Sequence, residues 1–259
     1  MIISKEGRIQ LQKEFLDFTN IDKLLKRILA SKYLKGVDEI EIKVNSLEKS
    51  RLIQKRVSEM IGMEVVEQDK NRLLIKDISG GTEDNFDTIV KRVLYLLHSL
   101  SEDILKAIKN KDVDLQYLKD IELNINKFTD YCFRLLNKKG YTDSKKTAIL
   151  YCILFNLELL GDGYKEIINY IMDNRLKLSE ELIRLYEEIN YYYQDFEKLF
   201  LKFDFESSIN LAQKRDSLIK TIKEQIKTSK SVKDVAILKN FEEIIETIVR
   251  MMGQLLNLY

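Results

Sequence analysis

Apolar residues recur along the chain with two different periods, and the change of period divides it into two regions. Up to about residue 79, short segments alternate apolar and polar side chains, as strands do, between segments with helical spacing. From residue 82 onward the apolar positions recur every three or four residues, which predicts helices without strands. We therefore expect a mainly α protein in which a small α/β domain, residues 1–79, precedes a helical region.

The α/β domain is predicted to have the order strand, helix, strand, helix, strand, strand. Its strands are expected near residues 8–12, 38–44, 63–67 and 72–76, and its helices near 21–33 and 47–61. Gly36 and Gly62 follow the two helices, where glycine commonly ends a helix. The pair Gly80-Gly81 is the expected hinge to the helical region.

The helical region is predicted to contain six long amphipathic helices. Their apolar stripes run over residues 86–108, 118–135, 150–171, 182–203, 209–226 and 238–255. The connections are short, so sequential neighbours should be antiparallel. A joint near Asn174 separates two sets of three helices. This pattern predicts two tandem antiparallel three-helix bundles, residues 82–174 and 175–259.

Composition narrows the class of protein. Proline, which breaks helices, is absent, and charged residues make up 33% of the chain but nearly cancel to a net +1. This balance argues against a broad basic face, so no nucleic-acid partner is expected. No apolar run reaches the roughly 18–20 residues of a membrane span, and MIISKEGR lacks a signal-peptide core. A soluble cytoplasmic protein is expected, with Cys132 and Cys152 as small buried side chains.

The sequence offers no catalytic constellation. His98 is the single histidine, and no serine or cysteine motif accompanies it. Gly80-Gly81 lacks the Lys-Ser/Thr that follows a phosphate-binding loop. The tyrosines at 191–193 are expected to pack in the helical core, with one ring on an exposed face. We therefore expect a protein that is not an enzyme.

An acidic pair, Glu158 and Asp162, lies one turn apart beside the apolar stripe of the third long helix. Like charges at this spacing repel, so either water surrounds the pair or a cation lies over it. The first alternative is a solvated acidic edge, and the second is a metal site with oxygen ligands. Asp216 falls on an apolar row of the fifth helix and is expected to pair with Arg250 or Lys220.

The segment ELLGDGYKEI, residues 158–167, resembles the signature of the phosphate-uptake regulator (PhoU) family, whose third helix carries a glutamate, three residues and an aspartate. Residues 26–42 and 61–78 are similar to the linker domain of archaeal PhoU-like proteins. Such proteins usually begin with an AbrB-type DNA-binding domain. About twenty residues precede the matching part here, so that domain is expected to be absent or reduced to one strand.

The resemblance implies a fold of two tandem three-helix bundles and a non-enzymatic, cytoplasmic role. Such a protein would restrain phosphate uptake through contact with a phosphate ABC transporter or a sensor kinase. It would reach the membrane only through this partner and would form a homo-oligomer. The alternative is a metal-free helical scaffold or dimerisation module that keeps only the fold.

The resemblance also implies a metal ion, with iron, zinc and magnesium left open. Matched position by position, Glu158 and Asp162 would be joined by Asp120 and Asn124 of the preceding helix. A second metal site is expected to be lost, because Arg250 stands where an aspartate should follow Glu246 and a guanidinium cannot be a metal ligand. In its place, Arg250 is expected to neutralise Glu246 or Asp216.

Overall fold

The structure, a computed structural model, describes residues 11–79, 86–109, 113–174 and 178–259. Within these ranges it is mainly helical, with eight α-helices and a small four-stranded sheet, which confirms the coarse prediction. The elements up to residue 79 are β1 (Lys13–Asp17), α1 (Leu25–Lys35), β2 (Glu39–Lys43), α2 (Leu47–Val57), β3 (Met63–Gln68) and β4 (Arg72–Asp77). The later helices are α3 (Phe86–Ile108), α4 (Leu115–Lys139), α5 (Thr147–Asn174), α6 (Glu180–Leu201), α7 (Phe205–Thr228) and α8 (Val232–Leu256).

The described residues form two compact units. The first contains residues 11–79 together with Asp130–Gly140, and the second contains the other described residues. Helix α4 therefore belongs to both units, with its part from Asp130 onward in the first one.

The sheet of the first unit has the strand order β1-β2-β4-β3. Strands β1 and β2 are parallel and are connected through α1, whereas β2 and β3 both pair antiparallel with β4. Ile40, Ile42, Leu73 and Ile75 alternate along the two central strands and are fully buried. The predicted first strand, near residues 8–12, is displaced. Its residues 8–10 lie outside the described ranges, and the strand that is described begins at Lys13.

A buried arginine ties the end of α4 into the first unit. Nη2 of Arg134 lies 2.7 Å from Oδ2 of Asp77, and Nη1 donates to the carbonyl of Tyr33 at 2.8 Å. Burial raises the pKa of Asp77, but hydrogen bonds from Arg134 and Ser79 outweigh this and lower it to about 2. The carboxylate of Asp77 therefore balances the charge of this buried guanidinium, and the carbonyl of Tyr33 accepts one of its hydrogen bonds.

In the second unit, α3 and α6 are antiparallel and are linked by buried polar groups. The hydroxyl of Tyr193 donates to the carbonyl of Leu94 at 2.8 Å, and Ser101 Oγ donates to Asn190 Oδ1 at 2.5 Å. Buried polar groups cost free energy unless they are paired, so these contacts favour one register of the two helices.

Two glycines let α5 approach its neighbours closely. A Cβ at Gly163 would lie 3.2 Å from Cγ1 of Ile244 in α8, and a Cβ at Gly161 would lie 3.3 Å from Cγ2 of Ile125 in α4. Real Cβ contacts are rarely so short. The sequence Gly-Asp-Gly thus has a packing role on two sides of α5.

The packing of the second unit crosses the predicted boundary near Asn174. Helices α6, α7 and α8 contact one another, as a three-helix bundle requires. However, α5 also packs along α8, and α3 packs along α6. The division into bundles 82–174 and 175–259 therefore stays a prediction. The expected hinge at Gly80-Gly81 and the helix start at Thr82 lie outside the described residues.

Several side-chain expectations can be compared with the structure. Tyr192 and Tyr193 are buried and Tyr191 is exposed, which confirms the prediction for this run. Cys152 is exposed, so the expectation that it is buried is wrong, because it lies beside the buried face of α5 rather than on it. Ile209 is also exposed, because the buried apolar row of α7 begins at Leu211 instead.

In the described ranges, no helix is both long and apolar enough to cross a bilayer.

Replacement of Gly163 by alanine tests the close packing of α5 and α8. Alanine is favoured over glycine inside a helix by about 1 kcal/mol, so Gly253→Ala, where a Cβ meets nothing within 4 Å, should stabilise the protein by roughly that amount. Gly163→Ala gains the same helix propensity but pushes against Ile244, so we expect it to destabilise by about 1–3 kcal/mol. Chemical denaturation of both variants measures the difference. Equal effects would mean that the two helices do not need the glycine.

Candidate functional site

The predicted acidic pair lies on the outward side of α5. Asp162 stands between the glycines that face α4 and α8, and its side chain is half exposed, at 50%. One turn earlier, Glu158 is partly buried. The nearest cation to Asp162 in its own helix is Lys165, whose Nζ lies 3.8 Å from Oδ1 of Asp162. The pair is therefore neither fully solvated nor fully enclosed.

A third carboxylate, not predicted from the sequence, faces this lysine from α4. Glu122 is almost completely buried, and its Oε1 lies 2.9 Å from Nζ of Lys165. The same oxygen accepts a hydrogen bond from Nδ2 of Asn126 at 2.7 Å. The ammonium of Lys165 thus lies against carboxylates from both helices. We call Glu122, Asn126, Asp162 and Lys165 the α4–α5 cluster.

Burial is the largest influence on Glu122, and it raises the pKa of this carboxyl. The hydrogen bond and the charge of Lys165 act in the opposite direction but do not cancel the effect of burial. Asp162 adds a further small rise through its negative charge. Lys165 therefore favours the charged form of Glu122, which burial disfavours.

Asp120 and Asn124 lie on the other side of α4. Both are exposed, and Oδ1 of Asp120 accepts a weak hydrogen bond, at 3.4 Å, from Gln116 of the same helix. Residues two apart in a helix are rotated by about 200°, so neither residue shares the face of Glu122 that meets α5. The structure thus brings Glu122 and Asn126 toward α5, and not the pair expected from the resemblance.

This arrangement does not fit a metal ion bound by Glu158, Asp162, Asp120 and Asn124. A divalent cation needs several oxygen ligands converging on one point, and two of the four lie on the far side of α4. The ammonium of Lys165 supplies positive charge where the carboxylates approach each other. Among the described residues, no group of three or more His, Cys, Asp or Glu side chains is arranged to hold a metal. The metal site remains a prediction from the resemblance.

A cation also pairs with the predicted acidic residues of α7 and α8. Arg215 of α7 pairs with Glu246 of α8 and, at 2.9 Å, with its neighbour Asp216. The expectation that Arg250 neutralises one of these acids is wrong, because Arg250 pairs with Glu243, seven residues earlier in the same helix. Asp216 is well exposed, so the cost of burial that required a partner does not arise.

His98 connects two helices and has acidic neighbours on both ring nitrogens. Its Nδ1 lies 2.5 Å from Oε2 of Glu197 in α6, and its Nε2 lies 3.5 Å from Oε1 of Glu102 in α3. With both nitrogens facing carboxylates, the imidazole serves as a polar link between α3 and α6.

Beside the acidic row of α5 runs an exposed apolar row. Tyr151, Phe155 and Leu159 follow one another at four-residue intervals, and Phe155 has 53% of its surface exposed. We call this row, together with Glu158 and Asp162, the outer face of α5. It combines apolar contact area with negative charge. Sequence analysis identified the acids of this face but not its apolar row, although the four-residue spacing is visible in the sequence.

Comparison with protein-family models, curated proteins and solved structures finds no match to this chain. A function for this chain is therefore a proposal, drawn from its own sequence and structure.

Removal of the lysine should destabilise the protein in a pH-dependent way. Lys165→Met leaves the buried carboxylate of Glu122 without its cation, so we expect the free energy of unfolding at pH 7 to fall by about 1–3 kcal/mol. The pKa of Glu122 is raised in the folded state. Its protonation therefore favours folding most below pH 4.5, near the pKa of the unfolded state, and this stabilisation is lost as the pH rises. The deficit should therefore grow from pH 4.5 upward.

Two variants control this measurement, which uses denaturant titrations at several pH values. The double variant Lys165→Met/Glu122→Gln removes the charge that needs the lysine and should recover most of the loss at pH 7. Lys220→Met, at an exposed position of α7, should change stability by less than about 0.5 kcal/mol. A deficit that does not vary with pH would contradict the role given to Glu122.

Proposed function

We propose that this protein is a non-enzymatic regulator of phosphate uptake that acts by contact with a partner protein. The resemblance of residues 158–167 to the PhoU signature supports this function, and the outer face of α5 carries it. The partner would be a phosphate ABC transporter or the sensor kinase beside it. The protein would then work in the cytoplasm and reach the membrane only through that partner.

The chemistry of the outer face of α5 suits such a partner. Phe155 and Leu159 offer exposed apolar surface, and an exposed aromatic ring is typical of binding hot spots. Glu158 and Asp162 lie beside them and give the face a negative character. Cytoplasmic loops of membrane proteins carry an excess of lysine and arginine. A negative face with an apolar centre is complementary to such loops in charge.

A charge placed in the apolar row tests this proposal in cells. Deletion of the gene should raise the initial rate of phosphate uptake under phosphate-replete conditions, and expression of the wild-type chain should restore it. Phe155→Asp should fail to restore regulation, because a buried carboxylate would disfavour the contact. Uptake of labelled phosphate and the amount of protein in each strain are the measurements.

Tyr95→Asp is the matched control, since Tyr95 is also an exposed aromatic residue but lies on α3. It should restore regulation as well as the wild type does. If deletion leaves uptake unchanged, the proposed function fails. If Phe155→Asp restores regulation fully, the function stands but the contact lies elsewhere.

A second candidate function is a metal-free helical scaffold or dimerisation module, and the position of Lys165 favours the absence of metal. The ammonium of Lys165 already pairs with Glu122 and lies near Asp162, so a divalent cation would have to displace it against charge repulsion. A regulator would also keep Lys165 in this place and would then act without metal at the α4–α5 cluster.

Metal analysis separates the metal-modulated form from the metal-free form. We expect protein purified without chelator to contain well under one iron, zinc or magnesium per chain. The double variant Glu158→Ala/Asp162→Ala should not lower this content, and EDTA should not change the thermal midpoint. Stoichiometric metal that the double variant loses would instead support the ligands implied by the resemblance.

A further inference from the structure

The outer edge of the sheet presents a strand whose backbone groups have a defined direction. β1 is the first strand in the order β1-β2-β4-β3, so within the described residues only its inner edge is paired. The carbonyl of Gln12 accepts from the amides of Asp38 and Glu39, and the amide of Phe18 donates to the carbonyl of Lys43. The even-numbered residues of this strand thus point their backbone groups toward β2.

Successive residues of a strand direct their N–H and C=O groups to opposite edges. Lys13, Phe15 and Asp17 therefore direct theirs to the outer edge of the sheet. The same three side chains share one face, because they are paired in register with Glu39, Glu41 and Lys43 of β2. This face is exposed at β1, where 59% of the Phe15 surface is accessible.

The order of these three residues is self-complementary. If two copies of β1 pair antiparallel with Phe15 opposite Phe15 of the second copy, Lys13 faces Asp17 of the second copy, and Asp17 faces Lys13 of the second copy. Opposite charges and paired aromatic rings at facing positions stabilise an antiparallel pair. Within one chain, Lys13 pairs with Glu39 and Asp17 pairs with Lys43. These are exposed ion pairs, which contribute little, so both side chains can also pair across the edge.

The backbone supports the same register. Facing residues of an antiparallel pair that direct their backbone groups toward each other exchange two hydrogen bonds. Lys13, Phe15 and Asp17 all have this direction, so the register that matches the charges also matches the hydrogen-bonding groups. If the register of the two strands shifted by one residue, outward-directed backbone groups would face residues whose backbone groups point toward β2. If it shifted by two, Lys13 would no longer face Asp17 of the second copy.

The other edge of the sheet is less suited to pairing. β3 has an irregularity between Val65 and Glu67 in its pairing with β4. Its outward positions include the exposed charges Glu64 and Glu67, which have no complementary lysine in the strand. Bulges and repeated like charges are features that protect edge strands from pairing.

We propose that β1 is a homodimerisation edge, at which two copies of this chain join their four-stranded sheets into one continuous eight-stranded sheet. The partner is a second copy, because the strand complements itself in charge, in aromatic contact and in hydrogen-bond direction. A two-fold axis passes between the two Phe15 residues. This inference does not depend on the proposed function in phosphate uptake.

Site-directed cross-linking in the full chain tests the register. In a Cys152→Ser background, which removes the exposed cysteine, Phe15→Cys places two thiols on residues whose Cα atoms would be about 5.5 Å apart. Under mild oxidation, we expect most of this variant to become a covalent dimer that reducing agent separates. Lys13→Cys in the same background should not cross-link to itself, because the two copies of residue 13 would lie about 14 Å apart.

Val66→Cys is the control on the opposite edge, since Val66 is exposed on β3. It should remain monomeric in the gel. The wild-type chain at tens of micromolar should sediment with twice its 30.6 kDa mass, and Lys13→Asp should shift it toward the monomer by setting like charges opposite each other. A folded Phe15→Cys variant that cross-links no better than Val66→Cys would overturn the proposal, and so would a monomeric wild type.

Discussion

The structure depends on matching each carboxylate that leaves water with a cation from the chain itself. An unpaired buried charge costs several kcal/mol, whereas a paired one with additional hydrogen bonds is tolerated. In the first unit Arg134 meets Asp77, and in the second unit Lys165 meets Glu122 and Arg215 meets Glu246. Each pair joins two different elements of its unit.

The α4–α5 cluster has consequences for chemistry as well as for packing. A metal ion and a lysine ammonium satisfy the same requirement, since both neutralise carboxylates that the fold brings together. The chain places Lys165 three residues after Asp162, so the cation is part of the helix that also carries the acid. The ammonium of Lys165 thus lies where an external cation would meet these carboxylates. The contact that we propose for α5 is on its outer face, which combines apolar area with negative charge.

The two contact surfaces that we propose suit different partners. The outer face of α5 is acidic and apolar, and it complements a basic partner rather than itself. Strand β1 carries Lys13 and Asp17 symmetrically about Phe15, and it complements a second copy. The proposed self-association and the proposed partner binding would be independent, because they use different residues and different forces. Backbone hydrogen bonds dominate the first contact, whereas side-chain burial dominates the second.

The sequence by itself determined the number, type and approximate limits of nearly all elements. Periodicity suffices for this, because a helix or strand buries one face and its residues record that face directly. The sequence also located Glu158 and Asp162, since their spacing within one helix is fixed by 3.6 residues per turn. Only the tertiary structure decided which side of α4 meets α5, and with it the exchange of Asp120 and Asn124 for Glu122 and Asn126. That choice depends on the rotation of α4 about its axis, in which Ile125 lies close to Gly161 of α5, and no local pattern records this rotation. The pairing of Arg215 with Glu246 was undecidable in the same way, because long cationic side chains reach several acids and packing alone selects one.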